Sequence, residues 1–381
     1  MKVAVLGYGT VGKGVYDMLR TCPLLEAGPV LVRRGKADED FKCDSIESIC
    51  ADASIDAVAE TMGGVDTAYA YAAMALRAGK HFVTSNKALV AARGIELASL
   101  ARENGVGFLF SAACGGAVPF LHNLELARES DEIVSLGGIL NGTTNYMLDM
   151  MQSEGLDYDA ALSDAQRLGY AEADPTADVS GLDALRKIML ACAVAYDMLP
   201  SDGLKNEGIE SLRAADVADL KRRGLCCRLV TKGGRNADGS VYAYVQPVLL
   251  TADAPECAVK KNFNMAKYLG KNAGEIVLMG QGAGRYPTAS AVLRDLECLA
   301  VGQREMLKKE CRAVTASNDA CLCRYYVRLP AALADGFDCE SAEREGDVVR
   351  AVIKPVSVGA MHEKARALRR AGSEIFFAEL P

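Results

Sequence analysis

The tightest constraint on the fold lies in the first twelve residues, where Val3-Ala4-Val5-Leu6 runs straight into Gly7-Tyr8-Gly9-Thr10-Val11-Gly12. The apolar run reads as a buried strand and Gly12 to Arg20 as a helix, so GxGxxG falls on a strand–turn–helix junction. Each glycine has a task there: the tight turn, close backbone approach to a pyrophosphate, and close helix–strand packing. The unpaired N–H groups at the helix start then face the anion. Gly7, Tyr8, Gly9, Thr10, Val11 and Gly12 are therefore expected to bind a dinucleotide.

The next hundred residues alternate in the same way. Val30-Leu31-Val32 and Ala57-Val58-Ala59 read as strands, Thr67 to Ala78 as an alanine-rich helix, and His81-Phe82-Val83-Thr84 as another strand. Strands alternating with helices imply a parallel sheet covered on both faces. The second strand ends in Arg33-Arg34, with Lys36 beyond and no acid before Asp38. An acid would accept the ribose hydroxyls of NAD, whereas arginine accommodates the extra phosphate of NADP. NADP is the expected cofactor, with NAD possible.

From Ile133 the texture changes to glycine-rich turns, a helix over Leu182 to Met198 and a strand over Val241 to Leu250. Leu182, Leu185, Met189, Cys192 and Tyr196 form a stripe at helical spacing, and Asp183, Arg186 and Lys187 lie off it. A further helix is expected over Thr288 to Leu307. Ser317-Asn318-Asp319 reads as a linker to a small β-rich module of about 60 residues.

At 381 residues the chain is long enough for two or three domains. Its net charge of -7 argues against a nucleic-acid surface. No apolar stretch approaches the roughly 20 residues of a bilayer span, and the opening apolar run is too short for a signal peptide. A soluble, cytoplasmic protein with neither nucleic-acid nor membrane partners is expected. The 13 cysteines include no CxxC and the histidines His81, His122 and His362 are scattered. The thiols are expected to be reduced and small packing groups, with no metal assigned to them.

Five segments carry a resemblance. They are Glu60-Thr61-Met62-Gly63-Gly64 with Ala78-Gly79-Lys80-His81-Phe82-Val83-Thr84-Ser85-Asn86-Lys87-Ala88; Gly138-Ile139-Leu140-Asn141-Gly142-Thr143-Thr144-Asn145-Tyr146; Gly169-Tyr170-Ala171-Glu172-Ala173-Asp174-Pro175 with Asp178; Gly181-Leu182-Asp183-Ala184-Leu185-Arg186-Lys187; and Gly282-Ala283-Gly284 with Pro287-Thr288-Ala289-Ser290-Ala291-Val292. In order and spacing they resemble homoserine dehydrogenases, over residues 1 to 310 or so. The resemblance implies an α/β protein with an N-terminal Rossmann doubly wound parallel sheet over 1–132, completed by 286–315. A mixed α/β catalytic and dimerisation domain over 133–285 would come next, with a small α+β tail over 320–381. It implies reversible reduction of aspartate 4-semialdehyde to homoserine, a monofunctional enzyme, and a homodimer or homotetramer.

The resemblance makes Lys187 and Lys87 the candidates for proton transfer and carbonyl polarisation, Asp183 their partner, and Glu172, Asp178 and Asp174 the carboxylates for the substrate ammonium. Asn141, Gly142 and Thr143 would also meet substrate, and Gly63, Ser85, Lys87 and Gly284 the cofactor. Residue chemistry agrees: aldehyde reduction needs a proton donor at oxygen, and lysine serves if burial and neighbouring charge lower its pKa. Asp183 and Lys187 share a helix face at i,i+4. The plain alternatives are a surface ion pair, helix-leading acids and a solvated loop lysine. Other functional readings are a related Rossmann dehydrogenase acting on another amino-acid aldehyde and a catalytically silent nucleotide-binding regulator.

Two places depart from the family pattern. Ser111 stands where a glutamate normally precedes the glycine turn of a monovalent-cation loop, leaving Ser111, Cys114 and Gly116 as a weak candidate cation site. In the tail, strands at Arg324 to Leu329 and Val348 to Ile353, a helix at Met361 to Ala371 and a strand at Glu374 to Glu379 are similar to an ACT-type amino-acid-sensing module. Pro330 to Gly336 is too short for that module's first helix, so oligomer contacts without threonine binding are expected.

Overall fold

The computed structural model of the protein describes residues 1–33, 35, 36 and 38–381. Six parallel strands open the chain: β1 (Lys2–Leu6), β2 (Glu26–Leu31), β3 (Lys42–Cys43), β4 (Ala57–Glu60), β5 (His81–Thr84) and β6 (Phe108–Leu109). Their order is β3-β2-β1-β4-β5-β6, so the chain winds outward in one direction, returns to β1 and winds outward in the other. The reversal beside β1 opens a crevice at the strand ends, where such sheets bind nucleotides. Helices α1 (Thr10–Leu19), α2 (Ile46–Ala51), α3 (Asp66–Arg77) and α4 (Lys87–Glu103) cover the faces. β1 is almost wholly buried, as a central parallel strand must be.

After α5 (Phe120–Ser130), the chain enters β7 (Ile133–Ile139), α6 (Gly142–Ser153), α7 (Tyr158–Arg167), the short α8 (Thr176–Val179) and α9 (Leu182–Tyr196). Next come β8 (Met198–Asp202), β9 (Lys205–Asn206), α10 (Ala214–Arg222), and the hairpins β10 (Leu225–Arg235)–β11 (Val241–Thr251) and β12 (Phe263–Gly270)–β13 (Gly274–Gln281). α11 (Arg285–Ala300) returns to the first sheet and packs on α1. β14 (Arg312–Thr315) pairs with β8. The tail is β15 (Leu322–Pro330), β16 (Cys339–Glu345), β17 (Val348–Ser357), α12 (Val358–Arg370) and β18 (Phe376–Glu379).

α9 is more central than a one-sided stripe suggests. Almost every residue is buried, including Asp183 and Lys187. A helix buried all round can carry charge only where that charge is paired. It stops at Asp197, in the left-handed region at φ 56°, so Met198 belongs to the following strand. α11 likewise ends seven residues before Leu307, at a turn containing Gly302 with φ 96°.

The segment read as a linker is pinned instead. Asn318 is buried, accepts from the Ala243 N–H and donates to the Gly203 carbonyl. The tail strands continue the large sheet in the order β13-β12-β7-β10-β11-β18-β15-β17-β16. Tyr325, Val327, Val349, Ile353, Met361 and Phe377 form a local core there. Between β15 and β16 lies a single 3-10 turn, Ala331–Gly336, in keeping with the short loop read there. The expectation of thirteen reduced thiols needs one correction. Cys226 and Cys257 form a disulfide pair, because the β10–β11 hairpin brings the turn after β11 back beside the start of β10. The other eleven cysteines are free.

Candidate active site

The glycine turn is built as its spacing demands. A side chain at Gly12 would meet the Gly7 carbonyl at 2.0 Å, while one at Gly9 would meet nothing within 4 Å. Gly12 therefore allows α1 to sit down on β1, and Gly9 leaves open space for a pyrophosphate. Gly63 follows β4 at φ 97° and is equally open, Ser85 follows β5, and Gly284 precedes α11. These fit a nicotinamide dinucleotide lying across the strand ends. Arg33 is exposed beyond β2; Arg34 lies outside the described residues. Tyr8 sits beside Phe41, with the Lys13 and Lys42 ammoniums 5.5 and 5.4 Å from its ring. Neither lysine belongs to the GxGxxG pattern, since Lys13 comes from α1 and Lys42 from the edge strand β3.

Glu60 opens one of the resemblance segments, yet the pattern assigned it no role. Fully buried at the end of β4, it accepts from the N–H groups of Met62 (2.6 Å) and Gly63 (3.1 Å) and from the Thr84 hydroxyl (2.5 Å). It fixes the Thr61–Gly64 turn to β5. Asn86 caps α4 through the Leu89 N–H and donates to the Gly64 carbonyl, which sets the start of α4 and so Lys87.

Lys87 reaches across to α9, its ammonium 2.8 Å from one oxygen of Asp183; Lys187 lies 2.7 Å from the other. One buried carboxylate thus bridges two lysines from different parts of the chain. Lys187 also donates to the Leu140 carbonyl at 2.6 Å. Asn141 donates to Asp178 at 2.7 Å and to Asp183 at 2.9 Å, while its carbonyl oxygen caps α6 at the Thr144 N–H. Thr143 donates to the Tyr170 carbonyl at 2.6 Å, tying α6 to the turn before Glu172. Gly181, left-handed at φ 80°, starts α9 and aims Asp183 inward.

Electrostatics correct one expectation. Burial alone would lower the Lys187 pKa, but the Asp183 carboxylate outweighs it and raises it above the ordinary lysine value. Lys187 is held as an ammonium, not made neutral. Burial would likewise raise Asp183, yet Lys187 and Lys87 hold it well below the usual carboxylate range. Asp178 is raised by burial and then by the Asp183 charge.

Two expected carboxylates do not join the cluster. Glu172 is exposed on the outward Gly169–Pro175 turn, where its carbonyl accepts from Gln166. Asp174, also exposed, caps the Thr176 N–H. Cys114 is fully buried against the Lys187 carbonyl, and burial pushes its thiol up to about 12, so it packs and does not react. Ser111 donates its N–H to Asp295 at 2.8 Å, and its buried hydroxyl has no protein partner among the described residues. That hydroxyl is a neutral oxygen of the kind a monovalent cation accepts.

A nucleotide crevice meeting a buried lysine–carboxylate–lysine centre belongs to an NAD(P)-dependent oxidoreductase acting on a CH–OH group of a small molecule. The family model for homoserine dehydrogenase matches residues 119–296, and that for the homoserine dehydrogenase NAD-binding domain matches residues 7–111. The chain belongs to the homoserine dehydrogenase family. It is 37% identical over 313 residues to the homoserine dehydrogenase of Synechocystis sp., covering 78% of this chain and 72% of that one. With the Bacillus subtilis enzyme it shares 38% over 314 residues, at the same coverage. The Thiobacillus denitrificans homoserine dehydrogenase structure superposes with a TM-score of 0.87 at 27% identity, covering 100% of this chain and 98% of that one. A hyperthermophilic archaeal homoserine dehydrogenase in complex with NADPH superposes with a TM-score of 0.68 at 25% identity, over 79% and 97% of the two chains.

Proposed function

We propose that the protein catalyses reversible, NADP-preferring interconversion of L-aspartate 4-semialdehyde and L-homoserine, with Lys187 as the proton donor. The observation that carries this is the Asp183 carboxylate held between Lys187 and Lys87 at 2.7 and 2.8 Å. The bound nicotinamide supplies or accepts the hydride at the carbonyl carbon. Lys187, kept charged by Asp183, gives its proton to the carbonyl oxygen during reduction and must take it back during oxidation. Lys187 regains its proton from solvent before the next reduction, and Lys87, on the other oxygen of Asp183 and at 35% side-chain exposure, polarises the carbonyl. Asp178, held by Asn141, faces the substrate ammonium. Glu172 and Asp174 can reach it only if the Gly169–Pro175 turn folds inward.

Arg33 beyond β2 supports NADP over NAD through the additional phosphate. A monovalent cation would be held by the Ser111 hydroxyl with backbone oxygens of Cys114 and Gly116, ordering that loop without entering the chemistry. Divisions near residues 132, 285 and 320, a shortened ACT-like tail, a cytoplasmic location and a homodimer or homotetramer complete the reading.

The test is homoserine oxidation followed by the absorbance of reduced cofactor, with NADP and NAD compared, with and without threonine. Lys187→Ala should lower kcat by about 10²–10⁴-fold, the usual range for a positioned acid–base group. Near-normal turnover in that variant would remove Lys187 from the proton step. Equal kcat/KM with NAD would remove the role given to Arg33.

A further inference from the structure

Asn264, at the start of β12, is 1% exposed, and neither atom of its amide has a protein partner among the described residues. Unpaired buried amides cost stability and are rare. This one sits where three segments of the site converge. A side chain at Gly282 would come within 2.1 Å of the Asn264 Cγ. One at Gly142, the first residue of α6, would lie 3.3 Å from its Oδ1 and 2.5 Å from the Asn262 carbonyl. One at Gly116 would strike the Gly282 backbone at 2.6 Å. Gly142 adjoins Asn141 and the two carboxylates it holds, Gly282 leads to Gly284 and the cofactor crevice, and Gly116 belongs to the loop that sets Cys114 against Lys187.

The amide is not needed to bind these parts together in the ligand-free protein. Asn145 already ties α6 to the run into β12, donating to the carbonyls of Val259, Lys261 and Phe263 at 3.2, 2.9 and 3.4 Å. The Ala117 N–H donates to the Gln281 carbonyl and joins the other two segments. Other unpaired polar groups flank the same loop, the Ser111 hydroxyl at its start and one Arg294 nitrogen near Ala117. Buried polar groups without protein partners call for an explanation, and here they gather around the loop that meets the cleft.

We propose that Asn264 is a positioning residue whose amide registers the first turn of α6 against the Gly282–Gly284 turn, taking its hydrogen bonds when substrate and cofactor fill the cleft. Hydride transfer depends on the alignment of two carbons carried by these two segments, and a misplacement near 1 Å costs about 10²-fold in rate. The inference rests on the homoserine dehydrogenase activity proposed for this site.

The test is Asn264→Leu, which keeps the branched shape at slightly larger volume and removes the amide. Its ligand-free Tm should equal or exceed that of the wild type, while kcat for homoserine oxidation falls at least about tenfold. KM for NADP should stay within about twofold, and the Tm rise produced by NADP with homoserine should shrink relative to NADP alone. A variant with wild-type kcat and a wild-type ligand-induced rise overturns the proposal and leaves the dehydrogenase activity intact. A lower ligand-free Tm with unchanged kcat makes the residue structural and also overturns it. Failure of the wild-type protein to oxidise homoserine would instead overturn the activity on which the proposal rests. If Asn264→Leu does not fold, Asn264→Ala is judged by the same kcat and the same ligand-induced rise.

Discussion

Asp183 decides the charge state of the centre. Its two oxygens are divided between Lys187 and Lys87, so neither ammonium is buried alone, which would be strongly destabilising. Asp183→Asn keeps the shape and removes the charge. Lys187 then faces burial and the Lys87 charge with only the weaker pull of the Asp178 carboxylate to offset them, and its pKa falls. Because reduction uses the ammonium, activity is lost as pH rises through the Lys187 pKa. The wild type should therefore hold its aldehyde-reducing activity to higher pH than Asp183→Asn, whose alkaline limb moves down. The variant's kcat should also drop by about 10²-fold or more. Superimposable pH–rate profiles would show that Asp183 does not control the proton donor. Sequence spacing alone made the Asp183–Lys187 pair legible, since i,i+4 residues share a face. The opposite expectation, a lowered lysine pKa, failed because the spacing said nothing of how closely the carboxylate would be held.

At the scale of elements, α5, α11 and the loop after β6 are joined by one buried network. His122 on α5 lies 2.8 Å from Asp295 on α11, whose other oxygen holds the Ser111 N–H; Glu125 is 3.6 Å from the second His122 nitrogen. Burial would lower the His122 pKa, but Asp295 and Glu125 outweigh it and raise it to about 9. The folded protein thus keeps a proton that the unfolded chain releases near pH 6.5. The stabilisation is whole below pH 6.5 and is lost as pH climbs from there to about 9. His122→Gln should be less stable than the wild type at pH 6 by roughly 1–3 kcal/mol, the cost of leaving a buried charged group poorly paired. The gap should narrow towards pH 9.5. Denaturant melts at both pH values check this, and a gap that stays constant rules out the ion pair. None of this network was visible in the sequence, where His122 and Asp295 stand 173 residues apart. β5 was legible to the residue because Phe82 and Val83 sit in a short apolar run bounded by a glycine turn. β16 was not among the expected tail strands: Glu340, Glu343, Arg344 and Glu345 carry no apolar alternation, yet they lie in an exposed edge strand, where charge guards against pairing with other chains.

For the whole molecule, the question is whether the tail behaves as an attachment. Strand pairing across its seam is thin, one residue pair, Val248 with Glu379, between β11 and β18. Charge does more. Glu379 takes Lys232 at 2.5 Å and Gln246 at 2.9 Å, Arg369 holds Glu207 through two nitrogens, and Arg328 meets Asp216 at 3.0 Å while donating to the Ser211 carbonyl. Asp216 is fully buried, so Arg328→Ala leaves its carboxylate with the Arg213 N–H and only the more distant Arg350 charge to offset it, a loss of about 3–5 kcal/mol. The seam also adjoins the chemistry. Glu207 lies beside Asn206, which donates to the Ser180 carbonyl, and Ile209 donates to that of Val179, just ahead of the Gly181 turn that aims Asp183. A tail bound this way should unfold together with the sheet it extends. Calorimetry of the wild type should give no separate tail transition, and Arg328→Ala should move the transition of the large sheet downward and activity with it. An early tail transition that leaves homoserine oxidation untouched would instead mean that the shared sheet transmits no stability from the tail to the catalytic centre.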